Sequence, residues 1–137
     1  MKNLVFIVED DLTQQKLLRH HFEEGLGTYE VKCFTNPDDL VAHLDEKPFA
    51  IVLDHFFSDR KETGLHYLSL IKKKSTSIPV IYHTTLEDEA VKAEALKKGA
   101  VEFINKDMAS LVRLRTALDA IHEKKSKKGF FGKLFGG

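Results

Sequence analysis

The chain has 137 residues, enough for one domain around a single core. It is 31% charged and 42% hydrophobic with zero formal net charge, but five of its 21 basic residues fall in 124–137, leaving 16 basic against 21 acidic side chains in the body. That mildly acidic body argues against nucleic-acid binding, the single Cys33 excludes an intrachain disulfide and fits a reducing cytosol, and no apolar run approaches a membrane span.

Leu4–Val8 is a short apolar run that reads as a buried strand and ends in Glu9, Asp10 and Asp11. It is too short for a signal peptide, so a cytoplasmic location is expected. Leu12 to Glu24 reads as a helix with Leu17, Leu18 and Phe22 at helical spacing; Asp11 and Gln14 fit a capping box, and Gly25 and Gly27 a stop. Tyr29–Phe34 alternates like a strand nearer an edge. Asn36-Pro37-Asp38-Asp39 is a helix start, and that helix carries Leu40, Val41 and Leu44 until Lys47-Pro48.

Phe49–Leu53 is an unbroken apolar run entering Asp54, as expected of a strand buried on both faces of a parallel sheet. A polar loop from His55 to Thr63 follows, and Gly64 opens a helix with Leu65, Leu68, Leu70 and Ile71. Ile78–His83 is a fourth strand closing at Thr84-Thr85, Glu87–Lys98 a helix stopped by Gly99, Val101–Ile104 a fifth strand, and Met108–His122 a last helix with Leu111, Leu114, Leu118 and Ile121 on one face. Five β-α units with right-handed crossovers predict an α/β fold, a doubly wound five-stranded parallel sheet.

In such a sheet all strands end at one edge, where ligands bind. That edge collects Glu9 and Asp10 from strand one, Asp54 from strand three, Thr84 from strand four and Lys106 from strand five. Crowded carboxylates need a cation, and oxygen-only ligands suit Mg²⁺ where a phosphate arrives. A carboxylate beside that ion can accept a phosphoryl group, a lysine can neutralise charge on its oxygens, and a hydroxyl can donate to one of them.

On these residues, from about 3 to 123, the chain resembles the receiver domains of two-component response regulators, of the flavodoxin-like fold and stand-alone type. The resemblance implies Asp54 as phospho-acceptor, Asp10 as a direct Mg²⁺ ligand, Glu9 as a ligand through water, the Phe56 carbonyl as a further ligand, Thr84 and Lys106 on the phosphoryl oxygens, and Phe103 as the aromatic that follows Thr84. It further implies a histidine kinase or phosphotransfer protein as donor, output through a downstream protein target, and no turnover of a small-molecule substrate.

Several positions depart from the family pattern. Asp107 stands where a cis proline usually follows the lysine, so a trans bond and a differently aimed Lys106 are expected. Ser58 replaces a usual proline, and Gly64 lies ten residues past Asp54, which lengthens that loop. Phe56 and Leu86, two residues beyond Asp54 and Thr84, are apolar and cannot orient a hydrolytic water, so slow phosphate loss is expected. His55 is the histidine placed to respond to pH.

Residues 1–123 thus read as the receiver domain and 124–137 as a basic, aromatic tail. Lys124, Lys125, Lys127 and Lys128 precede Phe130, Phe131, Leu134 and Phe135, which share one side if helical. Membrane contact or a partner's groove would suit that pattern, while four glycines favour a flexible tail. Two rival functions stand beside the receiver: an interaction module that no longer takes phosphate, and a phosphohydrolase, for which Phe56 cannot supply the general acid.

Overall fold

A computed structural model describes residues 2–24 and 28–134, with side chains to residue 128. The elements run β1 (Asn3–Val8), α1 (Leu12–Glu23), β2 (Tyr29–Phe34), α2 (Pro37–Ala42), a 3-10 turn (Leu44–Glu46), β3 (Ala50–Leu53), α3 (Gly64–Lys74), β4 (Val80–Thr84), α4 (Glu89–Lys97), β5 (Glu102–Asn105) and α5 (Ser110–Leu134). The sheet is parallel throughout, in the order β2-β1-β3-β4-β5. This is the expected doubly wound fold, with β2 at an edge.

Alternation along the strands divides the core. Phe6, Ile51, Leu53, Val80 and Tyr82 face Leu40, Leu68 and Ile71 of α2 and α3. Val5, Ile7, Val52 and Ile81 face Leu18 and Phe22 of α1 and Leu114 and Leu118 of α5. The inner strands β1, β3 and β4 bury both faces, and period-2 side-chain geometry sends alternate residues to the two layers. All four residues of β3 and all five of β4 are buried.

Helix starts follow their caps. Asp11 accepts from Gln14 N–H, Asn36 from Asp39 N–H, and Asp88 from Ala90 and Val91 N–H. The cap at Asp88 sets α4 two residues later than the Glu87 start read from the sequence. The second helix also stops early: α2 ends at Ala42, and the 3-10 turn and a left-handed Lys47 (φ 54°) complete the return to β3. Gly25 and Gly27, read as the stop of α1, lie outside the described residues.

The largest difference is α5. It spans 25 residues through Gly129 and Gly132, twelve beyond the expected end at His122. Extending an existing helix costs far less than nucleating one, so the packed turns around Leu114 and Leu118 can carry the unfavourable glycines.

Candidate functional site

The carboxyl ends of β1, β3 and β5 bring the expected charges together. Lys106 Nζ lies 2.6 Å from Asp54 Oδ2, across 52 residues of sequence. Asp54 Oδ1 accepts from His55 N–H at 2.6 Å. Glu9, Asp10, Asp54, Phe56, Ser58, Asp59 and Lys106 line one cleft of about 450 Å³. Both partners of the Asp54–Lys106 pair are partly exposed, so the pair itself adds little to stability.

Lys106 reaches Asp54 without a proline behind it. Among the described residues no peptide bond is cis, as expected for Lys106–Asp107. The Lys106 ammonium meets the Asp54 carboxylate. Lys106 N–H donates to the Thr84 carbonyl at 2.8 Å, which seats the backbone beside β4. Asp107 then holds the turn: it accepts from Ala109 N–H and from Arg113 Nη2, which also bonds the Asn105 carbonyl. The Arg113 hydrogen bond keeps the Asp107 carboxyl below its usual range.

Thr84 stands differently. It closes β4 fully buried, and its Oγ1 accepts from Leu86 N–H at 3.2 Å rather than lining the acidic cleft. Glu9 is also engaged elsewhere, accepting from Asp11 N–H at 3.2 Å. The oxygen-only donors suit a hard divalent ion, although no three Asp, Glu, His or Cys side chains converge closely enough to enclose one among the described residues. Glu9, Asp10, Asp54 and the Phe56 carbonyl share the cleft edge and are the groups that would hold it.

A contact that spacing does not reveal organises the loop after Asp54. Tyr82 Oη and His55 Nδ1 are joined by a buried 2.6 Å hydrogen bond, and Tyr82 stacks on Phe103 with centroids 5.4 Å apart. Burial, then the charge of Asp54, keeps the Tyr82 phenol protonated, and burial lowers the His55 pKa. Arg60 pins the lengthened loop through Asp59, Asp38 and Tyr67. Tyr82→Phe leaves the buried His55 nitrogen unpaired and should cost about 2 kcal/mol in urea denaturation. A loss below about 0.5 kcal/mol would show that the bond does not hold the loop.

On the opposite face of β4, buried His83 Nε2 lies 3.1 Å from Ser110 Oγ. Burial, with Lys106 adding to it, lowers its pKa from 6.5 to about 4. Below pH 6.5 the unfolded chain takes up a proton that the folded protein resists until about pH 4. The stabilisation is therefore complete above pH 6.5 and lost as pH falls, by about 2 kcal/mol between roughly pH 7.5 and 5. His83→Gln should remove that share of the acid sensitivity. Parallel loss of stability in both proteins would contradict a neutral buried His83.

The parallel sheet with acids and a lysine at one edge defines a class of signalling domain, and comparison with known proteins places it. Residues 5–119 match the model of the response regulator receiver domain. FilR1, a methanogenesis regulatory protein from Methanothrix harundinacea, is 31% identical over 114 residues, covering 80% of this chain and 25% of FilR1. Nodulation protein W of Bradyrhizobium diazoefficiens is 30% identical over 120 residues, covering 88% of this chain and 50% of that protein. A signal receiver domain from Vibrio parahaemolyticus superposes with TM-score 0.81 at 20% identity, covering 96% of this chain and 98% of that one. The response regulator domain of Thermotoga maritima CheB gives 0.71 at 24% identity over 90% and 96%.

The chain belongs to the response regulator receiver family of two-component signalling. It spans a quarter to a half of the length of these two curated relatives.

Proposed function

We propose that Asp54 accepts a phosphoryl group from a phosphohistidine on a histidine kinase or phosphotransfer protein. The observation that carries this reading is the Lys106 ammonium 2.6 Å from the Asp54 carboxylate at the mouth of an acidic cleft. An Asp54 oxygen attacks phosphorus, forming the O–P bond as the donor's P–N bond breaks, and the imidazole leaves with the electron pair of that bond and takes a proton from water. Lys106 balances charge on the phosphoryl oxygens. Mg²⁺, held by Glu9, Asp10, Asp54 and the Phe56 carbonyl, would supply further charge neutralisation.

Thr84, whose Oγ1 accepts from Leu86 N–H, answers the phosphoryl group by moving toward it and donating its own O–H to a phosphoryl oxygen. That shift repacks the surface around Phe103, α4 and α5 and so changes which downstream protein fits. Exposed Leu12, Leu17, Met108 and Val112 near the same edge give a donor protein an apolar surface. A cytoplasmic location agrees with this partner set, and among the described residues no helix is long and apolar enough to cross a membrane.

The second reading is a phosphorylation-independent interaction module. It is favoured by the engaged Thr84 hydroxyl and by acids that share a cleft without enclosing an ion. Intact-mass spectrometry after a small phosphodonor, with and without Mg²⁺, separates the readings. One stable phosphoryl addition that requires Mg²⁺ supports the receiver. No addition supports the module, and sustained phosphate release would point to a hydrolase.

A further inference from the structure

We propose that the far end of α5 is an amphipathic helix that docks this protein on an anionic lipid bilayer. The inference is independent of phosphoryl transfer. It begins with where α5 goes. Leu114, Ala117 and Leu118 are buried against the sheet, and among the described residues Ile121 is the last apolar one packed on that core. Lys125 Nζ then donates to the Phe49 carbonyl at 3.0 Å and lies 4.4 Å from the Phe49 ring centre. Phe49 immediately precedes β3, so by Lys125 the helix has reached the sheet edge opposite Asp54. The helical backbone continues to Leu134, roughly 14 Å farther along the axis.

The composition of that projecting part is specific. Residues 124–137 carry five lysines and no acid. Helical backbone places Phe130, Phe131 and Leu134 within roughly a third of the circumference, with Gly129, Gly132 and Lys133 opposite them. Lys127 falls on the same arc one turn earlier, and a lysine-rich turn leading into an apolar one, with little other hydrophobicity, suits an interfacial helix whose lysine stems reach back to the headgroups. Phe135 lies outside the described residues.

The occupant follows from charge. The edge from which α5 leaves is basic as well: α3 ends in Lys72, Lys73 and Lys74, and α4 in Lys97. Lys47 and Lys74 line a cleft with Lys125 and Lys128, where Asp45 is the one acid. Lysines at helix C-termini complement the macrodipoles, which accounts for α3 and α4. It does not account for an aromatic, acid-free sequence following those lysines in α5. The site edge, by contrast, gathers Glu9, Asp10, Asp54 and Asp59. A molecule polarised in this way sets its basic end on an anionic surface and leaves the Asp54 cleft facing the solvent, open to a protein donor.

The test is co-sedimentation of the full, unphosphorylated chain with vesicles of phosphatidylcholine alone or containing about one third phosphatidylglycerol. Binding to the anionic vesicles should exceed binding to the neutral ones at least about tenfold and weaken in high salt. Phe131→Glu and the pair Lys127→Glu/Lys128→Glu should each lower it by about tenfold. Lys127 and Lys128 are exposed, so the lysine pair should melt at the parent's temperature, as should Phe131→Glu. Equal binding to both vesicle types, variants that bind like the parent, or no binding to either would overturn the proposal; the last result would leave a protein groove as the partner of this helix.

Discussion

Asp54→Ala takes up no phosphoryl group under conditions in which the parent chain gains one. The effect is expected to be complete, because the substitution removes the attacking oxygen itself and no neighbour replaces it. Glu9 is turned toward Asp11 N–H, and Lys106 has only its ammonium to offer. The fold should survive, since Asp54 lies after β3 and contributes no apolar packing. Following the parent's adduct over time tests the apolar Phe56 and Leu86. Neither can position a water, so the phosphoryl group should persist for minutes or longer; loss within seconds would contradict that account. Phosphorylation of the Asp54→Ala protein at the parent's rate would remove Asp54 from the mechanism.

Gly64→Ala is expected to be the most damaging single methyl addition near the site. A Cβ at Gly64 would collide with the Asp54 carbonyl oxygen and lie 2.6 Å from the Tyr82 hydroxyl. Neither neighbour can yield freely. The Asp54 carbonyl belongs to the exit of β3, and Tyr82 is fully buried and bonded to His55. Gly64 N–H also donates to the His55 carbonyl at 2.9 Å, so the start of α3 is tied to the same loop. Relieving the overlap must move that loop or the helix, at a cost of about 3 kcal/mol or more. Chemical denaturation measures the loss, and phosphoryl uptake should slow with it because Asp54 is displaced. A loss below about 1 kcal/mol would mean that the loop is softer than its packing implies.

The fold was legible because its strands are buried on both faces. Phe49–Leu53 and Leu4–Val8 advertise themselves as apolar runs, and the parallel order follows from the helices between them. The Asp54–Lys106 approach was legible for the same reason: both residues close strands, and strand ends share an edge. Helix ends were less clear. Asp88 rather than Glu87 begins α4 because its side chain caps two amides, a choice between adjacent acids that spacing does not make. The length of α5 was hidden by Gly129 and Gly132, whose local preference is outweighed by the helix already packed behind them.

What the sequence concealed is tertiary. His55 and Tyr82 are 27 residues apart, and nothing in their spacing pairs them. Their bond depends on the β3–β4 register that sets Leu53 beside Tyr82. The setting of Lys106 is not legible from the residue after it alone. The turn is held by Asp107, Arg113 and a backbone bond to Thr84. The position of Thr84 under Leu86 N–H depends on how the next loop folds back, which strand-end spacing does not encode.

The most direct measurement is to locate the modified residue. The chain is treated with phosphodonor and Mg²⁺, reduced with borohydride to convert any aspartyl phosphate to homoserine, digested and sequenced by mass spectrometry. The account predicts homoserine at position 54 and nowhere else; unmodified Asp54, or homoserine at Glu9's neighbour Asp10 or another aspartate, would contradict it.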